Sequence, residues 1–151
     1  MTTTTPHAIA WSAPFDELSV GDAFATPGRE VSREDVRAFA ALTGDHHPQH
    51  VDPAWAARSP FGQPIAHGML VLSLAVGLLP LDPERVVALR RVGDCVFKRP
   101  VLFGDTIGVR GTIAALQPVS DEAGLVTCAW AVRDEHERLV ARARAEILWA
   151  R

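Results

Sequence analysis

Residues 65–79, IAHGMLVLSLAVGLL, form the most apolar run in the chain, broken only by His67, Ser73 and two glycines. The run is about 15 residues long, short of the roughly 20 needed to cross a bilayer. Read as a helix it is apolar nearly all round, and a helix of that kind is buried on most sides. A single domain that wraps one helix so completely usually does so with a sheet. The helix is expected to begin near Ile65, to carry His67 and Gly68 in its first turn, and to stop at Pro80 and Pro83. Gly68 and Gly77 lower helix propensity, a cost that close approach of another backbone or a ligand would offset.

The C-terminal half supplies the sheet. Residues 85–101 hold one or two strands with a bend at Gly93–Asp94. Residues 105–116 alternate, with Ile107, Val109 and Ile113 on one face and Arg110 and Thr112 on the other. In 125–133, Val126, Cys128, Trp130 and Val132 share a face, and 135–138 reads as a hairpin loop. Residues 139–149 alternate most clearly: Leu139, Ala141, Ala143, Ala145, Ile147 and Trp149 oppose Arg142, Arg144 and Glu146. Sheets apolar on one side and polar on the other are antiparallel. The shallow alanine face would let a helix sit close. The expected class is α+β.

The N-terminal half supplies a helix and a polar loop. Ser32 is a good N-cap with Asp35 three residues on. Val36, Phe39, Ala40 and Thr43 follow helical spacing, and Gly44 ends the helix as a C′ glycine does. Asp45 therefore falls just past a helix end, in a loop with His46, His47 and His50. Pro48 breaks the chain between Asp45 and His50, so helical spacing cannot relate them and their mutual geometry is open. Asp52–Pro53 starts a further short helical turn.

At 151 residues, 48% hydrophobic and 22% charged, the chain fits one globular domain. A net charge of −3 points to neither nucleic acid nor an anionic membrane as partner. The N-terminus lacks the basic and apolar regions of a signal peptide. The expected organisation is a flexible tail, 1–13, and one domain, 14–151, in the cytoplasm. Cys95 and Cys128 belong to no paired motif and read as buried reduced thiols. His46, His47 and His50 lack a fourth ligand at a recognisable spacing in a Pro-broken loop, so no metal is expected. Ser73 reads as a buried serine bonded back to its own helix. Arg90, Arg91, Lys98 and Arg99 suit the phosphates of a ligand as well as they suit a solvated strand face, and are assigned to no site.

Gly44-Asp45-His46-His47-Pro48-Gln49-His50-Val51-Asp52-Pro53, followed by Phe61-Gly62-Gln63-Pro64-Ile65-Ala66-His67-Gly68-Met69-Leu70, resembles the MaoC-like hydratase/dehydratase family, which includes the (R)-specific enoyl-CoA hydratases. Phe97-Lys98-Arg99-Pro100-Val101, then Phe103-Gly104-Asp105-Thr106, is similar to a later signature of the same family. The likeness runs from about Gly21 to Trp149. It implies a single hotdog domain, a long antiparallel sheet wrapped around one central helix. It further implies a homodimer or larger homo-oligomer with pockets at or near the interface. Asp45 and His50 match the family's catalytic pair, and Gly68 the glycine whose N–H binds the thioester carbonyl. The usual Asn before Pro is His47 here, and a serine that some members carry in the helix is Val76. His47 and His67 are possible supporting residues behind the pair.

The resemblance implies hydration of trans-2-enoyl thioesters, or the reverse dehydration of 3-hydroxyacyl thioesters. The acyl group would ride on CoA or an acyl carrier protein, with no further cofactor. One water would be held by Asp45 and His50: Asp45 takes its proton, and His50 orients it and helps return a proton to the α-carbon, giving syn addition. Gly68 N–H would stabilise the charge on the thioester oxygen. Two other readings remain open on the same fold: an acyl-CoA thioesterase, and a non-catalytic subunit of a heteromeric hydratase. Chain length, direction and pathway, whether lipid or polyketide, are left open.

Overall fold

A computed structural model describes residues 7–151. Six antiparallel strands form one sheet: β1 (Ala23–Ala25), β2 (Arg29–Glu30), β3 (Val86–Phe97), β4 (Thr106–Pro118), β5 (Ala123–Asp134) and β6 (Leu139–Ala150). The order is β1-β4-β5-β6-β3, with β2 also paired to β4. The helices are α1 (Arg33–Thr43), α2 (Pro48–Val51), α3 (Pro53–Ala56) and α4 (Gly68–Leu78), and a 3₁₀ turn spans Phe15–Glu17. The architecture is the hotdog, with α4 lying along the inner face of the sheet.

The alternation of apolar residues determines that face. Ile107, Val109 and Ile113 of β4, Val126, Cys128, Trp130 and Val132 of β5, and Ala141, Ala143, Ala145, Ile147 and Trp149 of β6 are all buried in one core with Leu70, Val71, Leu72 and Ala75 of α4. Arg142 and Arg144 point to solvent. The alanines of β6 leave room for the helix, and each buried Leu or Val side chain contributes about 1.5–3 kcal/mol over its exposed state. Register shifts between Gly93 and Val96 mark the expected irregularity in β3, where Asp94 takes a φ of 50°. Both cysteines are free. Burial pushes the Cys128 thiol up to about 12, so it stays protonated and inert, whereas Cys95 is only half-buried.

Several expectations change. Helix α4 starts at Gly68 rather than near Ile65. Residues 65 and 66 are instead drawn into an extended pairing, Ile65 bridging Leu102 and Ala66 N–H donating to the Val101 carbonyl at 2.8 Å. The helix is not buried all round. Met69 is 58% exposed, and Ser73 and Gly77, one and two turns on, are exposed with it. Ser73 does bond back to its helix, Oγ to the Met69 carbonyl at 2.7 Å, but from this exposed stripe, and among the described residues nothing closely approaches Gly77. Finally, residues 1–6 of the expected flexible tail lie outside the described residues, while 7–13 pack on the sheet. Ile9 is in the core, Trp11 lies against Phe24 and Trp149, and Trp149 Nε1–H donates to the Ala13 carbonyl at 2.8 Å. These residues carry apolar side chains large enough to dock.

Candidate active site

The site is built where α1 ends. Ser32 and Asp35 form a reciprocal capping box that starts α1, and Gly44, with a φ of 80°, ends it in the left-handed conformation, which only glycine adopts without penalty. Asp45 follows in the loop. Pro48 does more than break the chain: it occupies the first position of α2, where its missing N–H costs nothing. His47 caps that turn, its Nδ1 accepting the Gln49 N–H at 3.1 Å. His47 thereby performs the N-capping for which asparagine, the residue that the resemblance leads one to expect there, is suited. The turn carries His50 back over the start of α4.

Two carbonyls orient the histidines. His50 Nδ1 lies 2.6 Å from the Ile65 carbonyl, so Nδ1 carries the hydrogen and Nε2 the lone pair. His67, 2% exposed, places Nε2 3.0 Å from the Asp45 carbonyl, so that nitrogen is the donor there. The Asp45 carboxylate, 4.0 Å from the same nitrogen, is beyond hydrogen-bonding range of it. The rings of His50 and His67 stack with centroids 3.9 Å apart, and Phe39 packs on His67 at 4.9 Å. One ligating atom from each of Asp45, His50 and His67 lies within 4.8 Å of the other two. A single water, making two bonds of about 2.8 Å, spans such a gap.

The electrostatics separate the two candidate catalytic groups. Asp45 Oδ1 accepts the His47 N–H at 3.2 Å, which holds the Asp45 carboxyl below the usual carboxylate range. Burial pushes the His50 imidazole below its ordinary value, against the opposing pull of its bond to the Ile65 carbonyl. Near neutral pH the site therefore presents a carboxylate and a neutral imidazole.

Gly68 is the first residue of α4, and His67 before it makes no side-chain cap. The Gly68 N–H is among those a helix start leaves without an internal acceptor, and it meets none among the described residues. It borders a cleft of about 290 Å³ lined also by His50, Ile65, Phe97, Lys98 and Arg99. A Cβ at Gly68 would lie 3.0 Å from the Phe97 ring, so the close approach expected at this glycine is made by an aromatic side chain.

Of the residues singled out in the sequence, His50, Gly68, Lys98 and Arg99 line the cleft, Asp45 and His67 gather beside His50, and the His47 ring lies edge-on to His50 at 6.2 Å. His46 is exposed. Val76 lies elsewhere, in a small cavity with Leu79, Val86 and Trp130. Sequence reasoning missed the Ile65 carbonyl, because an acceptor in the main chain leaves no residue-type signal. It also missed Phe97 as the cover of Gly68, although Phe97 opens the later signature. Asp45, His50 and His67 are a different trio from the one weighed for metal in the sequence. One nitrogen of each ring bonds a main-chain carbonyl, which leaves each histidine a single further nitrogen.

Residues 17–131 match the family model described as MaoC like domain. The chain is 39% identical over 99 residues to Protein MaoC of Klebsiella aerogenes, covering 65% of this chain but only 30% of that protein. It is 36% identical over 121 residues to the 3-hydroxybutyryl-CoA dehydratase of Methylorubrum extorquens, covering 80% of this chain and 76% of that one. The structure of the (R)-hydratase from A. caviae involved in PHA biosynthesis superposes with a TM-score of 0.72 at 31% identity, covering 87% of this chain and 96% of that one.

Proposed function

From the premise that this chain belongs to the MaoC-like domain family, we propose that it adds water, (R)-specifically, to trans-2-enoyl thioesters, or runs the reverse dehydration of 3-hydroxyacyl thioesters. The observation that carries this reading is the proximity of Asp45 and His50, within 4.8 Å, beside a cleft bordered by the free Gly68 N–H. Two relatives that bear the names hydratase and dehydratase support it.

One water gives a hydrogen bond to the Asp45 carboxylate and another to His50 Nε2. Of the two acceptors the neutral imidazole is the stronger base, since the Asp45 carboxyl is held low. His50 thus removes the proton as the water oxygen bonds to the β-carbon, and the same nitrogen delivers a proton to the α-carbon. This gives His50 the proton that the sequence reading gave Asp45, and leaves Asp45 to orient the water. Both bonds form on one face, so addition is syn. The negative charge that builds on the thioester oxygen meets the Gly68 N–H and the positive end of α4. One such donor is worth about 2.7–4 kcal/mol at the transition state.

The assembly we propose is a homodimer. Among the described residues edge strand β3 leaves one side of its backbone unpaired, and it exposes Val87, Leu89, Val92 and Phe97. An apolar edge of that kind is a template for pairing. The carrier of the acyl group is CoA or an acyl carrier protein, and the setting is the cytoplasm. No helix among the described residues is long and apolar enough to cross a membrane.

Mixing the protein with trans-2-enoyl-CoA should remove the conjugated enoyl absorbance without releasing free thiol. Thiol release instead would make it a thioesterase. Inactivity relieved only by a second chain would make it a subunit of a heteromer.

A further inference from the structure

We propose that His67 is a positioning residue whose Nε2–H anchors the main chain at Asp45 while its ring braces the imidazole of His50. The inference deepens the hydratase reading and rests on it for its catalytic consequence. His67 touches both members of the pair but does not border the cleft, so it acts through them.

The anchor is the bond from His67 Nε2–H to the Asp45 carbonyl, 3.0 Å long. Asp45 needs one. It follows a left-handed glycine, its side chain is half exposed, and its carboxylate receives only a 3.2 Å bond from the His47 N–H. His67 belongs to the start of α4 and is buried to 2% exposure, so the bond ties a loose loop to the rigid centre of the fold. The brace is the stack. The His50 and His67 ring centroids lie 3.9 Å apart, with planes inclined by 27°, and Phe39 packs on His67 at 4.9 Å. The ring of His67 thus excludes water from one face of His50. Among the described residues His67 Nδ1 has no hydrogen-bond partner, so the side chain's one hydrogen bond there is that to the Asp45 carbonyl.

The charged and titratable groups around His50 are Asp45, His47 and His67, with Arg33 and Arg37 bordering one adjoining cavity and Lys98 and Arg99 the cleft. None but His67 stacks face to face on it.

Two substitutions separate the roles. H67Q keeps an N–H near the Nε2 position and removes the ring. H67F keeps a flat ring and removes the N–H. With anchor and brace both real, H67F loses roughly 10²-fold in kcat, the scale of a 1 Å misplacement, with KM little changed. H67Q keeps more turnover, but the acid limb of its kcat/KM profile moves up toward the ordinary imidazole value as water reaches His50. An NMR titration of the His50 Cε1–H should show the same upward movement in H67Q, and amide exchange over 44–47 should speed up in H67F. Wild-type kcat and exchange in H67F overturn the anchor, and an unmoved His50 titration in H67Q overturns the brace. A merely structural His67 would lower Tm in both variants without moving that titration. If H67F fails to fold, H67Q and its titration still decide the brace, and slow exchange over 44–47 in H67L, which also lacks the donor, would overturn the anchor. If the wild type hydrates no enoyl thioester, the hydratase reading fails, while titration and exchange still decide this one.

Discussion

The N–H of Gly68 and the ring of Phe97 meet at the start of α4, the ring so close that a Cβ on residue 68 would stand 3.0 Å from two of its carbons. The donor proposed for the thioester oxygen is therefore presented by a backbone on which any Cβ must push the Phe97 ring back by a few tenths of an ångström.

That relationship makes the donor separable from the space around it. G68A keeps the N–H and crowds Phe97. G68P crowds it similarly and deletes the N–H, at a helix position where proline is tolerated. The preceding residue, with φ −59° and ψ 137°, already has the conformation that proline demands of it. We expect kcat to fall a further 10²–10³-fold from G68A to G68P, the value of one oxyanion donor. Equal rates in the two variants would remove Gly68 from the mechanism.

D45N and H50Q should each lower kcat by about 10²–10⁴-fold, the usual worth of general acid–base catalysis. Asp45 is half exposed, so D45N should unfold within about 0.5 kcal/mol of wild type. Steady-state kinetics alongside a thermal melt would show this. Undiminished turnover in either variant ends the Asp45–His50 scheme.

The pH profile should follow His50. Its neutral form is the active base, and burial holds its pKa below the ordinary imidazole value of about 6.5. Activity therefore persists through pH 6.5 and falls only as pH drops through the lower, folded-state pKa. The same depression has a stability consequence. Below about pH 6.5 the unfolded chain takes up a proton that the folded site resists, so the contribution of His50 is intact above that pH and is lost as pH falls to the folded value. An acid limb above 6.5 would contradict the burial argument.

S32A should cost about 1 kcal/mol by removing the cap of α1, a fall of roughly 2–4 °C in Tm for a chain of this size. Asp35 completes that box and takes both arms of Arg29 at 2.9 Å. The Arg29 guanidinium holds its carboxyl well below the usual carboxylate range. Its contribution is thus full above about pH 4 and is lost only in strong acid. D35N should remove it at neutral pH and flatten the acid end of a stability-versus-pH curve. An unchanged curve would refute the pairing.

Overnight dialysis against a chelator should leave turnover unchanged, because the proposed chemistry uses only a carboxylate, an imidazole and a backbone N–H. Activity lost on dialysis and restored by zinc would reverse that assignment.

Periodicity alone carried most of the architecture. The alternation in β4, β5 and β6 and the apolar run of α4 are local patterns with one economical solution, a sheet closed over a helix. The ends of α1 were legible too, since Ser32, Asp35 and Gly44 act on their own neighbours in the chain. The exposed stripe through Met69 and Ser73 was not legible, because burial of a uniformly apolar helix depends on how far the sheet reaches around it.

The site divides in the same way. The resemblance of the motifs around them made Asp45, His50 and Gly68 candidates. Only the tertiary structure decided their relation, because Pro48 separates the pair and the turn it starts has no periodicity to extrapolate. It also decided what orients them: the carbonyls of Ile65 and Asp45 are the same atoms in every residue, so a sequence cannot mark them. A side chain announces its chemistry wherever it stands in the chain, but direction and distance come from contacts between segments that folding alone brings together.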